Sequence, residues 1–230
     1  MDTNTTIEEP CPLCQSGGSV LFGEDRRRCY WRCPCCRLVF VARHDLPTSH
    51  EEKAEYDLHE NTPDDDGYRR FLSRLFNPLQ QRLTDHALGL DFGCGPGPTL
   101  SVMASESGLQ MKLYDPFYAP DHSVLAQRYD FITATEVVEH LHRPGAELDR
   151  LWDLLQPGGI LAIMTKLVID QQAFTTWHYK NDRTHVRFFS RQTFHWLAEK
   201  WQAQLAFIDK DVIFLRKNES RNGQKEKGER

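Results

Sequence analysis

Apolar residues along this chain follow two different periods. Tyr68, Phe71, Leu72, Leu75, Phe76, Leu79 and Leu83 recur three and four apart, the spacing of one helix face. The acids Asp64, Asp65 and Asp66 stand where that helix would be capped, and Pro78 predicts a bend or an interruption. Short apolar runs follow, ALGLDFG, LQMKLYD, YDFITAT and GILAIMT, and read as buried strands. Between them, Pro98 to Ser107 reads as a helix stopped by Gly108. Pro144 to Leu155 reads as a second, with Leu148, Leu151, Trp152 and Leu155 on one side and QPGG as the turn after it. Ser190 can cap a helix whose apolar side is Phe194, Leu197, Ala198 and Trp201. LAFI and DVIFLR form a closing pair of strands. Strands alternating with helices predict an α/β fold, a doubly wound and mostly parallel sheet that tolerates a last antiparallel strand.

This pattern occupies residues 67–216. Residues 1–42 form a separate small unit ending in the strand-like LVFVA. Residues 43–66 read as an acidic linker, a loop with a short helix around Glu51 to Leu58. Residues 217–230 form a polar tail expected to be disordered. The 230 residues suffice for one α/β domain and a small appendage. A formal net charge of −5 gives no global attraction to nucleic acid or anionic lipid. The polar start MDTNTTIEEP does not read as a signal peptide, and no apolar run is long enough to span a bilayer. The expected setting is cytoplasmic, without a membrane partner.

Six of the seven cysteines fall between Cys11 and Cys36, which in a reducing compartment argues for metal rather than disulfides. CPLC at Cys11 and CPCC at Cys33 share the form Cys-Pro-x-Cys, with eighteen residues between the pairs. Two such turns give Zn²⁺ four sulfurs from Cys11, Cys14, Cys33 and Cys36. Cys29 and Cys35 are then spare, although Cys35 can replace a neighbour, and free thiols are the plain alternative. Four thiolates leave no open position, so a zinc ribbon of this kind is structural. Arg26, Arg27, Arg28, Tyr30, Trp31, Arg32 and Arg37 mix cations with aromatics, as RNA contact requires. The plainer reading is that the aromatics pack the ribbon and the arginines are solvated.

LDFGCGPG ends the first strand of the sheet. Gly93, Gly95 and Gly97 allow a tight turn and close approach of a ligand to the main chain. In an open α/β sheet that place, beyond the carboxyl end of a strand, is where ligands bind. Asp115 ends the next strand, twenty residues after Gly95, where a carboxylate can accept from ribose hydroxyls.

DFGCGPG, YDP, YDFITATEVVEHL and LLQPGGIL, in this order over residues 67 to 216, resemble the class I S-adenosylmethionine-dependent methyltransferases. The resemblance implies a Rossmann-like fold and S-adenosylmethionine as cofactor. It implies that Asp91, Phe92, Gly93, Cys94, Gly95 and Gly97 surround the cofactor and that Asp115 holds its ribose. The chain departs from the family after Asp115. Only PFYAPDHSVLAQR lies before the fourth strand, so the third strand is shortened or missing, and neither Phe117 nor Tyr118 can be assigned to adenine.

Glu136, Glu139 and His140 follow the fourth strand, and His185 comes later. This E-x-x-E-H pattern with a later histidine is similar to small-RNA 2′-O-methyltransferases and ubiquinone-pathway O-methyltransferases. The similarity implies Glu136, Glu139, His140 and His185 as ligands of Mg²⁺ or another divalent ion. Without metal, His140 or His185 is a candidate catalytic base. The stretch FTTWHYKNDRTH, with His178, Asp182 and His185, reads as a lid; His59 and Asn61 can close the opposite side, although a plain surface loop is the expected reading for those two. The function expected is methyl transfer to an O, N or C atom of a small molecule. The alternative is an RNA methyltransferase whose ribbon grips the nucleic acid.

Overall fold

The computed structural model describes residues 5–58 and 61–219. The described residues form two sheets. The first consists of β1 (Thr6–Ile7), β2 (Ser19–Glu24), β3 (Cys29–Arg32) and β4 (Val39–Val41), antiparallel in chain order. The polypeptide then forms α1 (Ser49–Tyr56), started by a capping box in which Thr48 and Glu51 exchange hydrogen bonds. Next comes α2 (Asp66–Gln80), where the Asp65 carboxylate accepts from the Gly67 and Tyr68 amides. Pro78 does not end α2, which runs on to Gln80. It lies in the last turn, so the one backbone bond it forgoes, that to the Arg74 carbonyl, falls near the helix end.

The larger sheet alternates with helices as the sequence pattern requires. Its elements are β5 (Leu88–Phe92), α3 (Thr99–Glu106), β6 (Gln110–Tyr114), β7 (Tyr129–Thr135), α4 (Pro144–Leu154) and β8 (Leu155–Met164). After the short α5 (Gln171–Thr175) and β9 (Arg187–Phe188) come α6 (Arg191–Trp201), β10 (Gln204–Phe207) and β11 (Val212–Arg216). The strand order is β10-β11-β8-β7-β5-β6. β6, β5, β7 and β8 run parallel, and β11 and β10 close the edge antiparallel. Between β6 and β7 there is only a 3₁₀ turn, His122–Ala126, so β6 is the sheet edge where a third strand would otherwise lie.

Side chains alternate between the two faces. Leu90, Phe92, Ile132, Leu161 and Ile213 pack beneath α4 and α6. Phe131, Ile160, Ala162 and Phe214 pack against Leu72, Leu75 and Leu79 of α2 and Leu100 and Met103 of α3. QPGG is not a free turn. It is absorbed into β8 as a bulge, with Tyr129 opposite Leu155 and Phe131 opposite Ile160. Gly158 takes the left-handed conformation there. At the far end, Lys217 donates to the carbonyls of Trp152 and Leu155, so the start of the expected tail is tied to the body, and 220–230 lie outside the described residues.

The smaller sheet does not end at residue 42. Its fifth strand is β9, with Val39 opposite Phe188 and Phe40 opposite Arg187. Cys11, Leu13, Cys33, Cys36, Leu38 and Phe40 share one core with the large sheet. A Cβ on Gly145, in the first turn of α4, would lie 2.4 Å from the Leu13 carbonyl oxygen, so the first cysteine turn rests directly on that helix. Among the described residues no helix is long and apolar enough to cross a membrane.

Candidate functional site

The carboxyl ends of β5, β6, β7 and β8 open into a cavity of about 780 Å³. The glycine turn after β5 forms its floor. Gly93 donates to the Tyr114 carbonyl at 2.8 Å and Gly95 to Asp115 Oδ2 at 3.1 Å, which ties this turn to β6. Two of the glycines are required by what surrounds them. Gly93 has φ +77°, and a Cβ there would lie 2.5 Å from Val137 Cγ2. At Gly97 a Cβ would lie 1.9 Å from the Asn61 carbonyl oxygen, so Asn61 does close over the glycine turn. His59 lies outside the described residues.

Asp115 is buried and lines the cavity. Its Oδ1 accepts from the amides of Phe117 and Tyr118, at 2.8 and 3.1 Å. A carboxylate has about four acceptor positions, so capacity remains on the Oδ2 side. That is chemistry suited to a hydroxyl. Phe117 and Tyr118 both line the cavity, and Tyr118 is held by a 2.7 Å bond to Asp57. Phe92 and Cys94 also line it.

Asp91 lies behind the turn, where the Thr133 hydroxyl donates to it at 2.7 Å. Burial pushes its carboxyl up to about 6, the charge of Asp115 adds to the rise, and Thr133 opposes it. The folded state therefore holds an extra proton between about pH 4 and 6, and stability falls as pH rises through that window. Asp91→Asn should make the ligand-free protein more heat-stable at pH 7.5, by at most about 3 kcal/mol for a two-unit shift. The gain should shrink as pH falls below about 6. Thermal unfolding of both proteins between pH 4.5 and 8 measures this, and a gain that grows with acidity would contradict it.

The opposite end of the cavity holds the acid and imidazole groups. Glu139 is fully buried, and its Oε1 accepts a short hydrogen bond from the Tyr179 hydroxyl. Its Oε2 is buried without a hydrogen-bond partner among the described residues. Burial raises the Glu139 carboxyl, with His185 and Tyr179 opposing. The His140 and His185 rings meet edge to face, centroids 4.7 Å apart. His140 Nδ1 lies 3.1 Å from the Thr184 carbonyl and His185 Nδ1 lies 2.7 Å from the Tyr179 carbonyl. A carbonyl only accepts, so each Nδ1 carries a proton. In a neutral ring of that tautomer Nε2 is the basic nitrogen, and that of His185 lies 3.6 Å from Asp182 Oδ2.

One ligand atom from each of Glu139, His140 and His185 lies within 4.8 Å of the others. Two imidazoles and a carboxylate converging in this way are a donor set that fits a divalent cation. Glu136 stands outside this group. The chain passes through the left-handed region at Glu136 (φ 52°), and its carboxyl is pushed up to about 8 by burial and by the charge of Glu139, with Lys166 opposing. It remains a lining residue.

The lid stretch supplies Tyr179, Asp182 and His185 to the wall, but not His178, which instead meets Lys166 at 3.3 Å. The short helix expected near Glu51 is present as α1, but its part in the cavity was missed. Residues read as linker place Ser49, Glu52 and Tyr56 on the cavity, and Glu52 pairs with His142 at 2.9 Å. The weak amphipathic pattern of α1 offered no signal for this. Tyr68 and Phe71, assigned to a packing face, also line the cavity, from the first two turns of α2.

The cysteine unit forms a second cluster. Cys11 and Cys36 sulfurs are 3.5 Å apart, and those of Cys14 and Cys33 are 3.4 Å apart. A tetrahedron with 2.3 Å Zn–S bonds has edges of about 3.8 Å, so the four sulfurs are compatible with zinc. Each turn is followed by a left-handed residue, Gln15 or Arg37, both with φ 62°. Cys35 is exposed and outside the cluster. The arginines are not uniformly solvated: Arg28 is only 8% exposed and donates to the carbonyls of Lys180, Asp182 and Arg183. It is not available to a nucleic acid.

The ubiquinone biosynthesis O-methyltransferase of Aeromonas salmonicida (strain A449) is 32% identical over 81 residues, 35% of this chain and 34% of that protein. The same enzyme of Cereibacter sphaeroides (strain ATCC 17025 / ATH 2.4.3) is 32% identical over 91 residues, 40% of this chain and 36% of that protein. The matched stretch thus spans about a third of the length of each relative. Among solved structures, an O-methyltransferase family protein from Burkholderia thailandensis aligns over 78% of this chain and 66% of its own, at 12% identity and a TM-score of 0.49. The family model described as "Methyltransferase domain" matches residues 64–206, more than half of the chain. With the glycine turn, Asp115 and the strand order in place, the chain belongs to the methyltransferase domain family.

Proposed function

We propose that this chain transfers a methyl group from S-adenosylmethionine to an O, N or C atom of a small molecule. The observation that carries this is the union of a bare glycine turn with a buried acceptor, Asp115, on the floor of one cavity. S-adenosylmethionine, when bound, supplies a methyl carbon made electrophilic by the sulfonium. Asp115 would accept from the ribose, and the turn around Gly93 and Gly95 would lie against the methionine part. Tyr56, Tyr68, Phe71 and Tyr179 give the cavity aromatic walls that exclude water and orient a substrate of limited size.

At the acceptor end, Glu139, His140 and His185 would hold a divalent ion, whose bound state supplies Lewis-acid stabilisation to a substrate oxygen. In its absence, either Nε2 can take a proton from the attacking group. In the cysteine unit, Cys11, Cys14, Cys33 and Cys36 would hold structural Zn²⁺.

Incubation with labelled methyl donor and fractionated cell extract tests the reading. Label should enter the small-molecule fraction. Label confined to RNA, or to protein, would overturn it. For the acceptor end, Mn²⁺ titration followed by electron paramagnetic resonance should show one site, weakened more than 100-fold in Glu139→Gln. Calorimetric affinity for S-adenosylmethionine should stay within about twofold. Equal Mn²⁺ binding by both proteins would end the divalent-ion reading.

A further inference from the structure

We infer that Arg28 is a positioning residue through which the N-terminal unit sets the separation and ring orientation of His140 and His185. The inference rests on the reading of Glu139, His140 and His185 as the acceptor end of the site. Arg28 lies in the turn between β2 and β3, far in sequence from either histidine, and is 8% exposed. Its terminal nitrogens donate to three main-chain carbonyls of a single loop: Lys180 and Asp182 at 2.9 Å and Arg183 at 3.0 Å. Its Nε donates to the Tyr30 hydroxyl at 3.1 Å. A planar fork of five donors can span successive carbonyls in this way, which a point-charge ammonium cannot.

The gripped stretch matters because of what flanks it. The carbonyl just before it, Tyr179, fixes the His185 ring through Nδ1, and the carbonyl just after it, Thr184, fixes the His140 ring. Tyr179 also supplies the hydroxyl that binds Glu139. One guanidinium therefore holds the segment from which all three groups take their orientation.

Asp25 reinforces the grip. It accepts from the Tyr30 hydroxyl at 2.7 Å, from Lys180 Nζ at 3.3 Å, and from the amides of Arg27 and Arg28 at 2.8 and 3.1 Å. Burial alone would lift the Asp25 carboxyl, but these four donors outweigh it and hold it below the ordinary carboxylate range. A second tie runs through Arg187, 2% exposed, which donates to Val41 of β4 at 3.0 Å and to His142, two residues after His140, at 2.8 Å. The N-terminal unit is thus tied to both histidine segments, directly through Arg28 and by way of Arg187, and none of its described residues lines the cavity.

The full-length Arg28→Gln variant tests this. Long-range ¹H–¹⁵N spectra of the imidazoles report the tautomer directly and need neither metal nor substrate. The wild-type protein should show His140 and His185 protonated at Nδ1. The variant should show mixed tautomers for at least one of them, and at least a tenfold loss of Mn²⁺ affinity. Its S-adenosylmethionine affinity should stay within twofold and its zinc content should be unchanged. Arg28→Lys should lie between the two. Wild-type tautomers together with wild-type Mn²⁺ affinity in Arg28→Gln would overturn the inference. If wild-type protein takes up no Mn²⁺, the divalent-ion reading falls, and the tautomers alone decide the positioning role. If Arg28→Gln does not fold, Asp25→Asn is read against the same two criteria.

Discussion

Asp115→Ala should lose S-adenosylmethionine affinity by about 100-fold or more in calorimetry. The carboxylate is buried and organises three amides, those of Gly95, Phe117 and Tyr118. Its removal deprives the ribose of an ionised acceptor, where each such hydrogen bond contributes about 1.5–3 kcal/mol. It also leaves amides without their partner at the edge of the glycine turn, so the floor of the cavity loses its shape. A total of about 3 kcal/mol corresponds to roughly 100-fold. Asp115→Asn keeps the size and one acceptor oxygen, and should fall short of that loss. Unchanged affinity in the alanine variant would show that the cofactor sits elsewhere.

Cys33→Ser should release zinc and lower the melting temperature by about 10 °C. Cys33 is buried, and its cluster shares a core with Phe40, Leu148, Phe189 and the central strands. Metal binding in such a unit is folding free energy, because the ligands do not converge in the unfolded chain. A cost of about 3–5 kcal/mol, typical for losing a metal or a buried cross-link, converts to that shift for a chain of this size. Elemental analysis and calorimetric unfolding of the same preparation decide it. Wild-type protein without zinc, or a variant with unchanged melting, would remove the metal from the account.

The α/β alternation was legible because it rests on local periodicity. The stripe from Leu72 to Leu79 and the runs at Leu88–Phe92 and Tyr129–Thr135 appear where their spacing places them. The glycine turn was legible because close approach excludes a Cβ, as Val137 and Asn61 do here, and Asp115 because it ends the neighbouring strand and ties to that turn. The first sheet was only partly legible. Nothing local to Arg187 and Phe188 marks them as partners for Val39 and Phe40, since strand pairing across such a separation leaves no local period. Tyr56 and Glu52 were hidden for a related reason: a mostly polar helix acquires a role from what it faces. Arg28 looked solvated because a guanidinium in a basic run gives no hint that its donors are consumed by carbonyls. Glu136 and Glu139, equal in the motif, part company: the chain turns left-handed at 136, and of the two only Glu139 joins the cluster with His140 and His185.

The pairing of β4 with β9 has a consequence for biosynthesis. Val39 leaves the ribosome long before Phe188, so the first sheet must wait with an unmated edge while most of the chain is made. Contacts this distant in sequence slow assembly. Nascent chains arrested short of residue 187 should be protease-sensitive in their first forty residues, and those arrested well beyond it should be protected there.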